Sequence, residues 1–122
     1  MQRHEITPEF QKILKTAFTL AGDVSASALL ILADRAYDFA TLKRDSKGFR
    51  LIVASDKKDV QEAVRLDDVD VVEVMQEPQS RHIQVSQILL EAMADELLQT
   101  GDVVVVVYSV YEKDGCDTVS VV

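Results

Sequence analysis

The sequence has little of what catalytic, metal-binding and membrane-spanning proteins usually need. Its 122 residues include one cysteine, two histidines, four glycines and no tryptophan. A single cysteine excludes an internal disulfide, and His4 and His82 lie too far apart for the usual ligand spacing of a zinc site. His4 is assigned to a frayed terminus. No apolar run approaches the ~20 residues of a membrane helix and no signal peptide is visible, so we expect a cytoplasmic protein without a bound metal.

The scarcity of glycine also bears on cofactors. The four glycines each lie at the end of a predicted element, and neither a dinucleotide fingerprint nor a Walker loop can be drawn. This absence argues against a self-sufficient NAD- or ATP-using enzyme, so no cofactor is predicted. The carboxylates are scattered, and Cys116 has no histidine near it in sequence to activate it. The chain is therefore predicted to be non-catalytic.

The charge balance limits the partners. The formal net charge of −8 argues against nucleic acid and anionic membranes, because both would repel the chain overall. The local cluster of basic residues is interpreted as a solvated helix end and turn, where cations suit the helix C-terminus. It comprises Lys43, Arg44, Lys47 and Arg50.

What the chain does contain is a run of five valines, Val103–Val107, which follows Gly101 and Asp102. Such a run is typical of a strand buried on both faces in the middle of a parallel sheet. The preceding segment, roughly Ser80 to Gln99, predicts a long helix that ends at Gly101 as a left-handed cap.

The other elements alternate around this strand. Together they predict a three-layer α/β/α sandwich with a mostly parallel five-stranded sheet and an antiparallel last strand. We expect one domain over residues 1–122, as the N-terminal fragment of a longer chain. The expected elements are a helix from Thr7-Pro8 to Gly22, a strand at Ala26–Ala33, a short helix at Ala36–Arg44 with Tyr37 and Ala40 inward, a strand at Arg50–Ser55, a helix capped by Asp56, an edge strand at Asp70–Met75, and a final strand at Thr118–Val122.

Candidate binding residues follow from where such folds hold ligands. In open parallel sheets the ligand lies beyond the carboxyl ends of the strands, where the strand order reverses. Here the reversal is predicted between the first strand and the valine strand, and Arg35 could bind a carboxylate or phosphate of a small anionic metabolite. The alternative, that Asp34 and Arg35 only solvate a strand end, stays open. The predicted site comprises Asp34, Arg35, Ser55, Ser109 and Tyr111.

Four segments carry a family resemblance: Ala28–Leu32, Arg50–Ser55, Thr100–Val106 and Asp117–Val122. Through them nearly the whole chain resembles the C-terminal domain of pyruvate kinase. In that family a Thr/Ser- and Gly-rich loop holds a phosphate of an allosteric sugar bisphosphate. The corresponding segment here, Ala33–Asp38, contains acidic residues instead. The resemblance therefore implies the fold but not sugar-bisphosphate binding. It does not imply pyruvate kinase activity either, because that active site lies in other domains.

The ending Tyr108–Val122 resembles the last hairpin of a pyruvate-kinase-like module that precedes the catalytic domain in some diadenylate cyclases. This resemblance implies a regulatory, assembly or ligand-sensing module attached to a domain that makes cyclic di-AMP, with no cyclisation by the module itself. Two other functions stay open. One is a stand-alone small-molecule binder, and the other is a homo-oligomer that pairs through the final strand.

Overall fold

A computed structural model describes residues 3–46, 49–74, 81–108 and 118–122. Its five-stranded sheet has the order β3-β2-β1-β4-β5. The first four strands are parallel and the last is antiparallel to β4, which confirms the predicted fold class. The strands are β1 Ala28–Leu32, β2 Arg50–Ser55, β3 Asp70–Glu73, β4 Val104–Tyr108 and β5 Thr118–Val121.

In the part of the chain that the structure describes, four helices cover the two faces of the sheet unequally. Three pack into the core on one face, whereas one packs on the opposite face. The division follows from right-handed crossovers, because the chain steps from β1 to β3 in one direction and then reverses to reach β4. The helices are α1 Pro8–Asp23, α2 Phe39–Asp45, α3 Lys58–Leu66 and, on the opposite face, α4 Arg81–Ala94.

The central strands contribute to both cores. All five residues of β1 are buried, with Leu29 and Ile31 in the core under α1 to α3, and Leu30 in the core under α4. The valines from Val104 to Val107 are buried as well, which confirms the predicted buried strand for four of the five valines, whereas Val103 is half-buried and precedes the strand. Successive side chains of a strand point to opposite faces, so a strand covered on both sides must be apolar throughout.

Local hydrogen bonds determine where the helices α1 and α2 begin. The hydroxyl of Thr7 accepts the backbone N–H of Phe10 at 3.2 Å, as predicted for the start of α1. The predicted start of the short helix at Ala36 is wrong, because the carboxylate of Asp38 accepts the N–H of Thr41 and the helix begins after it. Its buried residues are therefore not the predicted pair.

The start of α3 also differs from the prediction. Asp56 does not cap the helix, whose N-cap is Lys57 without a side-chain capping bond. The hydroxyl of Ser55 accepts the N–H of Lys57 instead, at 3.2 Å. A cap at Asp56 would accept the N–H of Lys58 or Asp59, so the Ser55 bond is a local turn at the strand end and not a substitute for that cap.

Three helices end in the same way without glycine. Ser25, Asp68 and Glu96 have φ of 52°, 57° and 61°. Each closes a Schellman motif, and after α4 the N–H of Leu97 donates to the carbonyl of Ala92 at 2.9 Å. The helix ends predicted at glycines are therefore wrong. Gly22 lies inside α1, and Gly101, with φ of 94°, lies in a turn well beyond the end of α4.

The amino-terminal segment is held in place rather than frayed. The N–H of His4 donates to the carbonyl of Ala36 at 2.8 Å, and His4 forms a parallel bridge with Tyr37. Tyr37 is buried, and its ring meets Phe10 edge-on with centroids 5.1 Å apart. Tyr37 was expected inside the short helix, but it lies before it, where it anchors the terminus to the core.

Candidate functional site

The candidate site lies at the edge of the sheet where the parallel strands end. β1 pairs with β2 on one side and with β4 on the other, so the strand order reverses between β1 and β4 as predicted. Beyond the end of β1 the chain passes Asp34 and Arg35, both half-buried. This is the position at which open α/β sheets usually hold ligands.

Asp34 forms an ion pair that the sequence analysis missed. The ammonium of Lys57 lies 3.9 Å from a carboxylate oxygen of Asp34. The pair links the end of β1 to the turn after β2, so two neighbouring strand ends share a cation and an anion. Lys57 follows the predicted strand Arg50–Ser55 by two residues, and that spacing was the signal available for finding it.

Ser55 lies at the same edge but takes part in the turn. Its side chain is buried and accepts the N–H of Lys57, while its carbonyl accepts the N–H of Val74 at 3.0 Å. The same carbonyl accepts the side-chain amide of the buried Gln61 at 2.7 Å. These bonds fix the path from β2 into α3, and a role for Ser55 in ligand binding stays a prediction.

The remaining predicted residues, Ser109 and Tyr111, lie outside the described residues. The last residue of β4, Tyr108, is half-buried and packs against the core under α4. Gln84 is buried in the first turns of α4, which must run back from this edge of the sheet to reach the start of β4. Tyr108 and Gln84 add a phenol and an amide to the elements that border the site, and sequence reasoning named neither.

The loop after β1 carries one carboxyl with a shifted pKa. Hydrogen bonds from the hydroxyl and then the backbone N–H of Thr41 lower the pKa of Asp38 below its ordinary value. The hydroxyl bond is 2.8 Å long. Asp38 is therefore ionised at neutral pH in the loop between β1 and α2. A second negative charge there disfavours a phosphate group.

The described groups at this edge are of kinds that can bind a ligand. They offer a guanidinium, an ammonium, a carboxylate, a phenol and an amide, which recognise ligands by ion pairs and hydrogen bonds. In the part of the chain that the structure describes, no group of three or more His, Cys, Asp or Glu side chains could hold a metal ion. Groups of these kinds suit a small polar or anionic molecule.

A groove of about 480 Å³ lies elsewhere, between β3 and α4. Its walls are mostly apolar, so it differs in chemistry from the strand-end site. Its lining residues are Glu73, Val74, Gln87, Ile88, Leu90, Glu91 and Ala94.

Comparison with known families decides the identity of the chain. Residues 9–122 match the family described as "Probable sensor domain DacZ_P". The chain belongs to the DacZ_P family of sensor domains. DacZ_P is associated with the diadenylate cyclase DacZ. The match confirms the resemblance to a pyruvate-kinase-like module of diadenylate cyclases, and with it a sensing function linked to cyclic di-AMP synthesis.

Solved structures confirm the fold of this DacZ_P domain. A pyruvate kinase from Cryptosporidium parvum matches with a TM-score of 0.72 at 19% sequence identity. The match covers 100% of the DacZ_P chain but only 23% of the pyruvate kinase, so it shows the fold alone. No curated protein matches the sequence. Among the described residues, no helix has both the length and the apolar character needed to span a bilayer.

Proposed function

We propose that this DacZ_P domain binds a small anionic metabolite at the ends of β1 and β4 and regulates a fused or associated diadenylate cyclase domain. The domain itself performs no chemistry. The family match over residues 9–122 carries this proposal, because it gives the domain a sensing function. The topology supports the position, since the strand order reverses between β1 and β4.

The charges at this edge favour a carboxylate over a phosphate ester. Arg35 and Lys57 supply cations in a chain of net charge −8, and an arginine can bind a carboxylate through two parallel hydrogen bonds. Asp34 and Asp38 place negative charge in the same loop. A singly charged carboxylate meets less repulsion there than a doubly charged phosphate ester.

Calorimetry on the 122-residue chain tests the binding step. The probes are a panel of mono- and dicarboxylates, with inorganic phosphate and sugar phosphates for comparison. We expect saturable binding of a carboxylate that Arg35→Ala weakens at least about tenfold. The matched control is Arg50→Ala, which removes an arginine from the start of β2, at the opposite edge of the sheet. Equal loss in both variants, or binding of no probe, would contradict the proposed site.

Activity of the complete cyclase tests regulation separately. We expect the isolated domain to form no cyclic di-AMP. In the intact enzyme, the carboxylate found by calorimetry should change the rate of synthesis, and Arg35→Ala should remove that response while leaving the basal rate unchanged. An intact enzyme that binds the carboxylate at Arg35 without any change in rate would support the binding site and contradict regulation. A cytoplasmic location is part of this proposal, and fractionation of source cells tests it.

A further inference from the structure

α4 has apolar residues on the side that faces away from the sheet. Val85, Ile88 and Ala92 are buried against the strands, whereas Ile83 and Leu90 are 50% and 66% exposed. A helix that covers a sheet normally places polar residues outward. Six large apolar side chains are strongly exposed among the described residues, and half of them belong to α4, so the exposure is concentrated on one helix.

The outward residues of α4 follow the spacing of a helix–helix contact. Ile83, Gln87, Leu90 and Ala94 are separated by four, three and four positions. This spacing aligns them along one side of the helix, as in the contact line of a coiled coil. We refer to these four residues as the outer seam. All four are exposed.

The outer seam lies on a face of the sheet that is only partly covered. Neighbouring strands are ~4.8 Å apart, so five strands are about twice as wide as one helix. In the described part of the chain, α4 is the one helix on this face, and it leaves a groove on each side. The groove beside β3 has a volume of about 480 Å³, and the one beside β4 has about 240 Å³. A second helix can therefore pack beside α4 without displacing described residues.

The charges at the ends of the other helices suit the helix dipole in part. Acidic residues favour the positive N-terminal end of a helix, and basic residues favour the negative C-terminal end. α3 follows this rule at both ends, with Asp59 in its first turn and Arg65 in its last turn. α1 has Glu9 in its first turn but ends on Asp23, and α2 has Lys43 and Arg44 beside Asp45 in its last turn.

The charges on α4 are reversed. The helix begins with Arg81 and His82, has no acidic residue in its first turn and has no basic residue in its last turn. Glu91 lies in the last turn, and Asp95 and Glu96 follow directly. An identical helix packed antiparallel brings the positive end of its dipole beside these carboxylates. Charge complementarity therefore favours a second copy of the chain, in one orientation.

We propose that two copies of this domain associate through the outer seams of α4, packed antiparallel about a two-fold axis between Gln87 and Leu90. Around such an axis Ile83 of one copy meets Ala94 of the other, a large side chain against a small one. The contact is the same surface on both subunits, as a closed two-fold dimer requires. The interface lies away from β5, so it differs from pairing through the final strand.

Sedimentation velocity with a matched pair of variants tests the interface. We expect the 122-residue chain to form a reversible dimer with a dissociation constant below about 500 µM. Leu90→Lys should raise this dissociation constant at least about tenfold. Leu66→Lys is the control, because Leu66 on α3 is also 66% exposed. Thermal unfolding of both variants checks that each remains folded. A chain that stays monomeric, or a dimer that Leu90→Lys leaves intact, would overturn the proposal.

Cysteine cross-linking tests the orientation. Ile83→Cys and Ala94→Cys are made separately in a Cys116→Ser background and mixed in equal amounts before oxidation. The antiparallel dimer predicts mainly disulfides between position 83 of one copy and position 94 of the other. Disulfides mainly between two copies of position 83 indicate a parallel pair, and disulfides at neither position place the contact elsewhere, so either result contradicts the proposal.

Discussion

The guanidinium of Arg3 forms a bidentate ion pair with the carboxylate of Asp67, with both N···O distances at 2.9 Å. The two residues are 64 positions apart in sequence. Asp67 also accepts the backbone N–H of Phe39 at 3.0 Å, and Arg3 donates to the carbonyl of Tyr37 at 2.8 Å. One ion pair therefore holds the amino-terminal segment, the start of α2 and the end of α3 together.

Loss of the Arg3 side chain should destabilise the domain clearly. Arg3→Ala leaves a carboxylate that is only 14% exposed without its charged partner, and we expect the free energy of unfolding to fall by about 2 kcal/mol. Arg3→Lys should recover only part of the loss, because an ammonium keeps the positive charge but cannot form the two parallel bonds. Urea unfolding followed by circular dichroism measures both.

The control for that measurement is an exposed pair. Arg65 and Glu73 form an ion pair at the surface, with side chains 52% and 62% exposed. Arg65→Ala should therefore change the free energy of unfolding by less than about 0.5 kcal/mol. Equal losses for Arg3→Ala and Arg65→Ala would show that the amino-terminal ion pair contributes no more than a surface pair.

The Asp38 cap should make stability depend on acid pH. The bonds from Thr41 lower the pKa of Asp38 from its ordinary value of 3.8. Because the folded state binds the proton more weakly, the stabilisation is fully present above pH 3.8 and is lost as pH falls through the lower folded value. Asp38→Ala should lower the free energy of unfolding by about 1 kcal/mol at neutral pH. Urea unfolding at acid pH should show that Asp38→Ala lowers the free energy of unfolding by less than it does at neutral pH.

Asp38→Asn separates the charge of Asp38 from its capping oxygen. Asparagine keeps an acceptor for the N–H of Thr41 but does not titrate in this range. We therefore expect the stability difference between the native chain and Asp38→Asn to shrink as the pH falls. A difference that stays constant from neutral pH into acid would rule out the ionised carboxylate as its source.

Glycine at the end of α1 should stabilise the domain. Ser25 has φ of 52°, a conformation that glycine adopts without strain. We expect Ser25→Gly to raise the free energy of unfolding by about 0.5–1 kcal/mol, since the relief of strain exceeds the added entropy of the unfolded chain. The same substitution inside α4, Ser86→Gly, should lower it by about 1 kcal/mol. If thermal unfolding showed that Ser25→Gly and Ser86→Gly change the stability in the same direction, this explanation would be rejected.

The amide of Gln61 should stabilise the turn at the candidate site. Gln61 is buried, and its side chain donates to the carbonyl of Ser55 at 2.7 Å. Gln61→Ala should lower the free energy of unfolding by about 1–2 kcal/mol, because it removes this bond and leaves a small cavity. Gln11→Ala, on the exposed side of α1, should be almost neutral. A loss in Gln11→Ala as large as in Gln61→Ala would show that the effect is not specific to the buried bond.

Much of the fold could be predicted because hydrophobic patterns are local. The valine run, the apolar strand β1 and the charged ends of β3 predicted two buried strands and one edge strand, and the sheet order confirms all three. The ends of the helices were less predictable. The prediction that the helices end at glycines was wrong because Ser25, Asp68 and Glu96 adopt the left-handed conformation themselves.

The type of each element, the reversal of strand order and the position of Asp34 and Arg35 beside it could be inferred from the residue pattern alone. The packing in three dimensions brings together side chains that the pattern does not pair: Lys57 with Asp34, Gln61 with Ser55, and Arg3 with Asp67. It also leaves the apolar Met93 of α4 38% exposed. The reason is physical. Periodicity records which side of an element is apolar, whereas contacts between distant segments depend on how the elements pack in three dimensions.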